Sequence, residues 1–164
     1  MTLLRETIRK IILETEMTAE ERSAEFKKWY KRDESNACIQ ELTRIFEDAY
    51  SFEVGSWGNK FDVYEMKYEP EPSCIVRIRV YEMYGAVKLD EIETTPECEG
   101  KGYAREAIRT IQDVAKKHGV KIYLEAKAFN THKGEGRMSS SELEGWYSSQ
   151  GFKKDGLEME WKPQ

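Results

Sequence analysis

The sequence predicts a single α/β domain in which a mixed, mostly antiparallel sheet is flanked by helices. Three observations lead to this fold class. Apolar residues recur at helical spacing through the first third of the chain, and three successive strand patterns then follow with short turns between them. A helical pattern next lies between two strand patterns, and such a crossover makes those two strands parallel.

The composition excludes several classes of protein. The chain has 164 residues, enough for one domain with a real core, and 39% of them are hydrophobic. The net charge is −5 and no basic run is present, so we expect no nucleic-acid partner. No apolar run reaches membrane length and the amino terminus has no signal-peptide core, which predicts neither a membrane span nor secretion.

The cysteines predict a reducing, cytoplasmic location. Cys38, Cys74 and Cys98 are odd in number and lack the spacing of a metal site, and two histidines cannot complete a zinc site with them. We therefore expect no bound metal.

Residues 1–52 are predicted to form a helical amino-terminal part, and residues 60–164 the remainder of the domain. An amphipathic helix spans Leu3 to Ile12, and Thr18 to Glu21 match a capping box that starts a second helix. A third helix is predicted from about Asn36 to Tyr50, with one apolar face. Core packing explains these apolar faces better than a cofactor site does, although the first helix could also contact a membrane surface or a partner.

The strand patterns cover Phe61–Glu69, Cys74–Met83 and Ala86–Thr95. On the second strand, Arg77 and Arg79 alternate with buried-type residues. They could line a substrate groove or lie on a solvated face, and the pattern does not decide between the two.

The third strand contains an irregularity next to its end. Val87 and Leu89 share one face, but the next apolar residue is Ile92, so the period of two slips near Asp90 and Glu91. A β-bulge produces such a slip and often lies beside an active site.

A glycine turn follows this strand and precedes a helix. Gly100 and Gly102 permit a tight turn with outward-facing N–H groups, and the following helix start adds its own unpaired N–H groups and positive dipole. This arrangement suits a pyrophosphate, although an ordinary loop has the same pattern. Arg105 stands where the dinucleotide fingerprint needs a small residue, and Gly102-Tyr103 does not match an ATP-type P-loop.

The rest of the chain predicts a helix that ends at Gly119, a strand over 120–127 and a polar loop over 131–139. Ser139 then caps a short helix that extends to Gln150, and a final hairpin turns at Asp155-Gly156.

Three segments, in the same order, resemble the GCN5-related N-acetyltransferase (GNAT) family. Residues 96–104 resemble the family's acyl-CoA-binding turn, with Glu99 where the family usually has Arg or Gln. Residues 124–130 are similar to the fifth-strand segment of ribosomal-protein alanine acetyltransferases, and residues 146–152 to the family's Tyr-containing helix end. The loop between the last two segments is about ten residues longer than in the family and, with the following helix, resembles small phage-type members.

The resemblance implies a GNAT-like fold, acetyl-CoA as co-substrate and a set of site residues. Glu125 corresponds to the base that deprotonates the amine, and Tyr147 to the acid that protonates the departing thiolate. Asp90, Glu91 and His132 are rival bases, and Cys98 is considered as an acyl carrier. The coenzyme-binding positions, which lie on the bulged strand, the glycine turn and the fifth-strand segment, are Ile92, Thr94, Glu99, Gly100, Lys101, Gly102, Tyr103, Ala104, Arg105 and Asn130.

The implied function is transfer of an acetyl group from acetyl-CoA to a primary amine, with a protein or peptide amine favoured over a small molecule. The alternative is a non-catalytic GNAT-like module that binds a partner protein through its amino-terminal helices. The sequence leaves the acceptor and a homodimeric state open.

Overall fold

The computed structural model describes residues 18–21, 32–56, 59–127 and 138–164. The helices and strands, in chain order, are α1 (Arg32–Ile45), β1 (Glu47–Ser56), β2 (Asn59–Glu71), β3 (Cys74–Met83), β4 (Ala86–Thr94), α2 (Tyr103–His118), β5 (Ile122–Leu124), α3 (Ser140–Ser149), β6 (Lys153–Asp155) and β7 (Glu158–Trp161). No helix in these ranges is both long and apolar enough to span a bilayer.

The strands form one sheet in the order β1-β2-β3-β4-β5-β7-β6. Every neighbouring pair is antiparallel except β4 and β5, which are parallel and joined through α2. The predicted mixed, mostly antiparallel sheet and its parallel crossover are therefore confirmed.

The predicted irregularity in β4 is a β-bulge at Asp90. Arg79 on β3 lies opposite Glu91, whereas the next residue, Val80, lies opposite Leu89, so Asp90 has no counterpart. The extra residue lets Leu89 and Ile92 both pack with the core despite their odd spacing.

The core lies between α1, α2 and one face of the sheet. Val76, Ile78 and Val80 of β3 are fully buried there, beneath residues such as Leu42 of α1 and Ile111 of α2. Tyr147 and Phe152, at the carboxyl-terminal end, belong to the same cluster. The sheet that positions β4 is thus fixed by apolar packing from one side.

The predicted third helix, from about Asn36 to Tyr50, is wrong in its last five residues. α1 ends at Ile45, where the N–H of Phe46 donates to the carbonyl of Leu42, and residues 47–56 form β1 instead. Asp48 has a positive φ of 49° at the start of this strand. Tyr50, Phe52 and Val54 then alternate along it, a strand period that the helical interpretation missed. The helical part accordingly ends before residue 52, and Gly55 and Ser56 pair with Lys60 and Asn59 in the β1–β2 hairpin.

Other boundaries differ by a few residues. β5 covers only Ile122–Leu124, and α2 begins at Tyr103. Both capping boxes are confirmed. The hydroxyls of Thr18 and Ser139 accept hydrogen bonds from the N–H groups of Glu21 and Glu142, and the N–H groups of Thr18 and Ser139 donate to the carboxylates of those glutamates. The predicted helix over residues 3–12 lies outside the described residues, as does the 131–137 part of the polar loop.

Ile78→Ala should destabilise the domain by about 2–5 kcal/mol, because it removes buried methyl groups and leaves a cavity under the centre of the sheet. Urea denaturation measures this loss. Leu157→Ala is the matched control, since Leu157 is 87% exposed and its truncation should change stability by no more than about 0.5 kcal/mol. Equal stabilities for the two variants would contradict the described core.

Candidate functional site

The candidate site begins where β4 and β5 separate. Their pairing covers Val87–Ile122, Lys88–Tyr123 and Leu89–Leu124 and ends there, at the bulge. β4 continues through Asp90–Thr94 with β3 on its other side. On this segment the backbone groups of Ile92 and Thr94 face away from β3, and no described strand pairs with them there. Ile92 and Thr94 lie on this segment, which offers donors and acceptors to an extended ligand.

The glycine turn lies immediately beyond this strand. Gly100 and Gly102 have φ of 80° and 89°, the left-handed region that glycine adopts without strain, and a Cβ at either position would meet nothing within 4 Å. Gly102 is the N-cap of α2, and the N–H of Glu106 donates to its carbonyl over 3.1 Å. The N–H groups from Gly102 to Arg105 have no intrahelical acceptor.

These N–H groups and the helix dipole form a positive, open surface suited to a phosphate group. Arg105 is exposed in the first turn of α2, while Tyr103 and Ala104 are half-buried. Glu99 is exposed at the start of the turn and forms no ion pair with the other described residues. Backbone groups therefore supply most of the positive potential of the turn.

The turn is attached to the start of β3. The N–H of Thr95 donates to the carbonyl of Ile75 over 2.9 Å, and the Thr95 hydroxyl accepts from the N–H of Ile75 over 3.0 Å. A short 3₁₀ helix, Pro96–Cys98, then leads to the glycines.

Lys101 does not project freely from the turn. Its Nζ lies 2.5 Å from a carboxylate oxygen of Glu71, at the end of β2. The hydrogen bonds from Lys101 and, secondly, Tyr103 lower the pKa of the Glu71 carboxyl below its ordinary value. Glu71 was not predicted as part of the site, because only the β2–β3 hairpin brings it to the turn.

Two of the three cysteines, from which a reducing location was predicted, are paired. Cys74 and Cys98 form a disulfide across the β2–β3 turn and the 3₁₀ helix, with their Cα atoms 5.6 Å apart. The sulfur of Cys98 is therefore engaged and cannot carry an acyl group in this form. Cys38 is buried, and burial raises the pKa of its thiol to about 12. A thiol in that environment is a poor nucleophile.

The cysteine pair also bears on the expectation of no metal. One oxygen of Glu71 and the sulfurs of Cys74 and Cys98 lie within 4.8 Å of one another. In the described form the sulfurs are bonded together and Lys101 already neutralises the carboxylate. These residues therefore do not offer a set of free metal ligands.

Glu125, the candidate base, follows the last residue of β5 and is exposed at the edge of the gap. Its carboxylate lies 2.7 Å from Nζ of Lys127. The hydrogen bond from Lys127 lowers the pKa of Glu125, and the charges of Lys127 and Lys88 act in the same direction against partial burial. Glu125 is consequently ionised at neutral pH, the state that a base requires.

Tyr147, the candidate acid, is buried in α3. Its ring contacts Trp146 and Phe152 edge-on, with centroids 4.9 Å and 5.8 Å away. Burial raises its pKa to about 12, so the phenol keeps its proton at neutral pH.

The rival bases at the bulge are held by Arg79. Its guanidinium lies 3.0 Å from Glu91 and 3.9 Å from Asp90, and a second nitrogen lies 2.9 Å from Glu65. Arg79 thus belongs to an ion-pair cluster that crosses three strands. Asn130 and His132 lie outside the described residues.

A buried ion pair adjoins the gap and was not predicted. Lys88, paired with Tyr123 of β5 in register, is buried and contacts the carboxylate of Glu158 on β7. The sequence pattern, with Lys88 between Val87 and Leu89, indicates only that the Lys88 side chain faces away from the core helices. It does not indicate an ionic partner.

Parallel strands that part at a bulge and a glycine turn at a helix start together form a site suited to an extended ligand that carries a phosphate group. The sequence profile of the "Acetyltransferase (GNAT) family" matches residues 16–133. The chain belongs to this family, and the predicted family membership is confirmed. The matched range includes the glycine turn and Glu125 but ends before Tyr147.

Individual proteins that are similar to the chain do not assign it to a particular activity within the family. No curated protein sequence matches the chain significantly. Among solved structures, the anti-CRISPR protein AcrVA5 is 26% identical with a TM-score of 0.45, over 60% of this chain and 98% of that one. An acetyltransferase from Bacillus cereus is 16% identical with a TM-score of 0.42, over 77% and 86%. The ribosomal-protein-S18-alanine N-acetyltransferase of Escherichia coli is 15% identical with a TM-score of 0.40, over 82% and 84%.

Gly102→Ala should weaken acetyl-CoA binding by about tenfold, because a left-handed φ costs a Cβ-bearing residue roughly 1–2 kcal/mol and the strained turn moves its N–H groups. Calorimetric titration with acetyl-CoA measures the change. Gly145→Ala is the control, since Gly145 lies in α3 with an ordinary φ and open space around it. If both alanine variants bound acetyl-CoA as the wild type does, the turn would not be the phosphate site.

Proposed function

We propose that the protein is an acetyl-CoA-dependent N-acetyltransferase that moves an acetyl group to a primary amine, with a protein or peptide amine favoured over a small molecule. The observation that carries this proposal is the proximity of two open backbone segments, the edge of β4 at Ile92 and Thr94 and the start of α2 at Gly102, which only residues 95–101 separate. Family membership supports acetyl transfer in general, and the open strand segment supports a long, extended donor substrate.

The donor would lie along these two segments. The N–H groups of Gly100 to Arg105 would hold its pyrophosphate, and Arg105 would add a charge from the first turn. Asp90–Thr94 would hydrogen-bond its amide-containing arm in the manner of an added strand. The thioester would then lie in the gap between β4 and β5, next to Ile92.

The acceptor amine must lose a proton before it attacks. Glu125 stands at the edge of the gap as an ionised carboxylate and would accept this proton through a water molecule. Its lowered pKa makes it a weak base, so proton removal would accompany the attack rather than precede it. Backbone N–H groups near Ile92 and Thr94 would stabilise the oxyanion of the tetrahedral intermediate.

Collapse of that intermediate breaks the carbon–sulfur bond. Tyr147 would hydrogen-bond to the leaving sulfur and supply a proton as negative charge develops there. The pKa of Tyr147 is about 12, whereas a thiol has a pKa of roughly 8.5. Complete transfer from the phenol is therefore uphill, and the hydrogen bond to the sulfur is the larger part of its contribution.

The preference for a protein amine rests on the segment 124–130, which resembles that of ribosomal-protein alanine acetyltransferases. A cationic acceptor also agrees with the net charge of −5. The cytoplasmic location and a homodimer stay predictions. The cysteine argument for the location no longer supports it, because two of the cysteines are paired.

A non-catalytic module that binds a partner protein is the second candidate. Two observations favour it: Glu99 places a carboxylate at the glycine turn, and Glu71 draws Lys101 away from it. Release of CoA thiol from acetyl-CoA with lysine-containing peptides and free amines distinguishes the candidates. The module predicts no turnover with any acceptor.

Tyr147→Phe should lower kcat by about 10²-fold, because the leaving sulfur loses its hydrogen-bond donor, and should leave the Kd for acetyl-CoA nearly unchanged. Steady-state kinetics and calorimetry give the two values. Tyr84→Phe is the control, because Tyr84 is exposed at the β3–β4 turn. Equal activity of the Tyr147 variant and the wild type would remove Tyr147 from the mechanism.

Glu125→Gln should lower kcat/KM by about 10²-fold and by a constant factor across about pH 6 to 8, since the pKa of Glu125 lies below its ordinary value. Rate–pH profiles of both proteins with one amine test this. A break near neutral pH that is present in the wild type and lost in the variant would contradict the lowered pKa. Activity equal to the wild type would exclude Glu125 as the base.

A further inference from the structure

The Cys74–Cys98 disulfide joins two segments that no strand pairing holds together at that point. Cys74 is the first residue of β3, after the turn formed by Pro72 and Ser73. Cys98 ends the 3₁₀ helix, two residues before Gly100. The bond therefore attaches the glycine turn to the β2–β3 hairpin at a distance of two residues from the proposed phosphate site.

The side chains of Glu71 and Lys101 lie next to the disulfide bond. An oxygen of Glu71 lies 3.1 Å from the sulfur of Cys74, and Nζ of Lys101 lies 3.9 Å from it while pairing with Glu71. Both cysteines are almost fully buried, whereas Gly100, Lys101 and Gly102 are exposed. The exposed glycine turn is thus joined to the start of β3 by a buried covalent bond.

We propose that the Cys74–Cys98 disulfide positions the glycine turn for acetyl-CoA, and that its reduction by a dithiol weakens acetyl-CoA binding. This proposal rests on the proposed function. In the reduction, the dithiol loses two electrons and two protons and closes to its own disulfide, and the protein gains two thiols. Without the bond the turn samples more backbone conformations, and binding must then restrict them again.

The expected effect is moderate because other contacts remain. The two hydrogen bonds between Thr95 and Ile75 and the Lys101–Glu71 pair still hold the turn near β3. If binding must restrict the backbone of about one additional residue, the Kd for acetyl-CoA should increase roughly tenfold. The bond positions the donor alone, so the acceptor KM and the kcat at saturating acetyl-CoA should not change.

The test is calorimetric titration of acetyl-CoA into three forms of the full chain: oxidised wild type, wild type reduced with dithiothreitol under nitrogen, and the double variant Cys74→Ser/Cys98→Ser. Mass spectrometry after alkylation establishes the thiol state of each. Both forms without the bond should show about a tenfold higher Kd than the oxidised protein. Cys38→Ser is the matched control and should bind, and respond to reductant, as the wild type does.

Kinetics separate positioning from a general loss of stability. The forms without the bond should show a raised KM for acetyl-CoA, with kcat and the acceptor KM unchanged, at a temperature below the melting transition of every form. Equal Kd values with and without the bond would overturn the proposal, as would a parallel decline in all kinetic constants. The absence of the Cys74–Cys98 disulfide from the oxidised protein would also overturn the proposal. Failure of every form to bind acetyl-CoA would instead overturn the proposed function, and this proposal with it.

Discussion

The separation of two parallel strands at a single bulged residue is the constraint on which the rest of the site depends. A buried sheet normally satisfies its backbone groups by pairing, and Asp90 interrupts this for the last part of β4. The apolar core beneath, which includes Ile78 and contacts Ile92, keeps β4 in place although no described strand pairs with this edge of the segment. The backbone groups of Ile92 and Thr94, on this rigid support, are suited to bind a polar, extended ligand without a rearrangement of the fold.

Backbone groups, more than side chains, give the glycine turn its positive character. Glu99 opposes an anionic ligand and Lys101 is neutralised by Glu71, yet the N–H groups at the start of α2 remain directed outward. We expect such a site to tolerate substitutions among its charged side chains better than changes in its backbone conformation. For this reason we propose that the attachment of the turn to β3, by Thr95 and by the disulfide, contributes to ligand binding.

The two candidate catalytic side chains owe their protonation states to opposite environments. Glu125 is exposed and paired with Lys127, which favours the carboxylate. Tyr147 is buried among aromatic rings, which favours the neutral phenol. The candidate base is thus ionised and the candidate acid protonated at neutral pH, which are the states that the proposed acyl transfer requires.

Local patterns in the sequence were sufficient for the fold class, the crossover, both capping boxes and the bulge, because each depends on residues close together in the chain. The slip from Leu89 to Ile92 and the glycines at 100 and 102 are features of this kind. The first strand was missed because Phe46, Ala49 and Tyr50 continue the helical spacing of Leu42, and so short a segment does not show a strand period clearly. Tyr147 and Glu125 were named from family resemblance, and their roles remain proposals.

Contacts between distant segments were decided by the tertiary structure alone. Cys74 and Cys98 are separated by 24 positions, Glu71 and Lys101 by 30, and Lys88 and Glu158 by 70. No periodicity or motif relates such residues, because they meet only when the hairpin, the crossover and the last strands have taken their places in the sheet. The sequence by itself determined where the chain could bind an anion, and the folded sheet decided which side chains hold that turn in place.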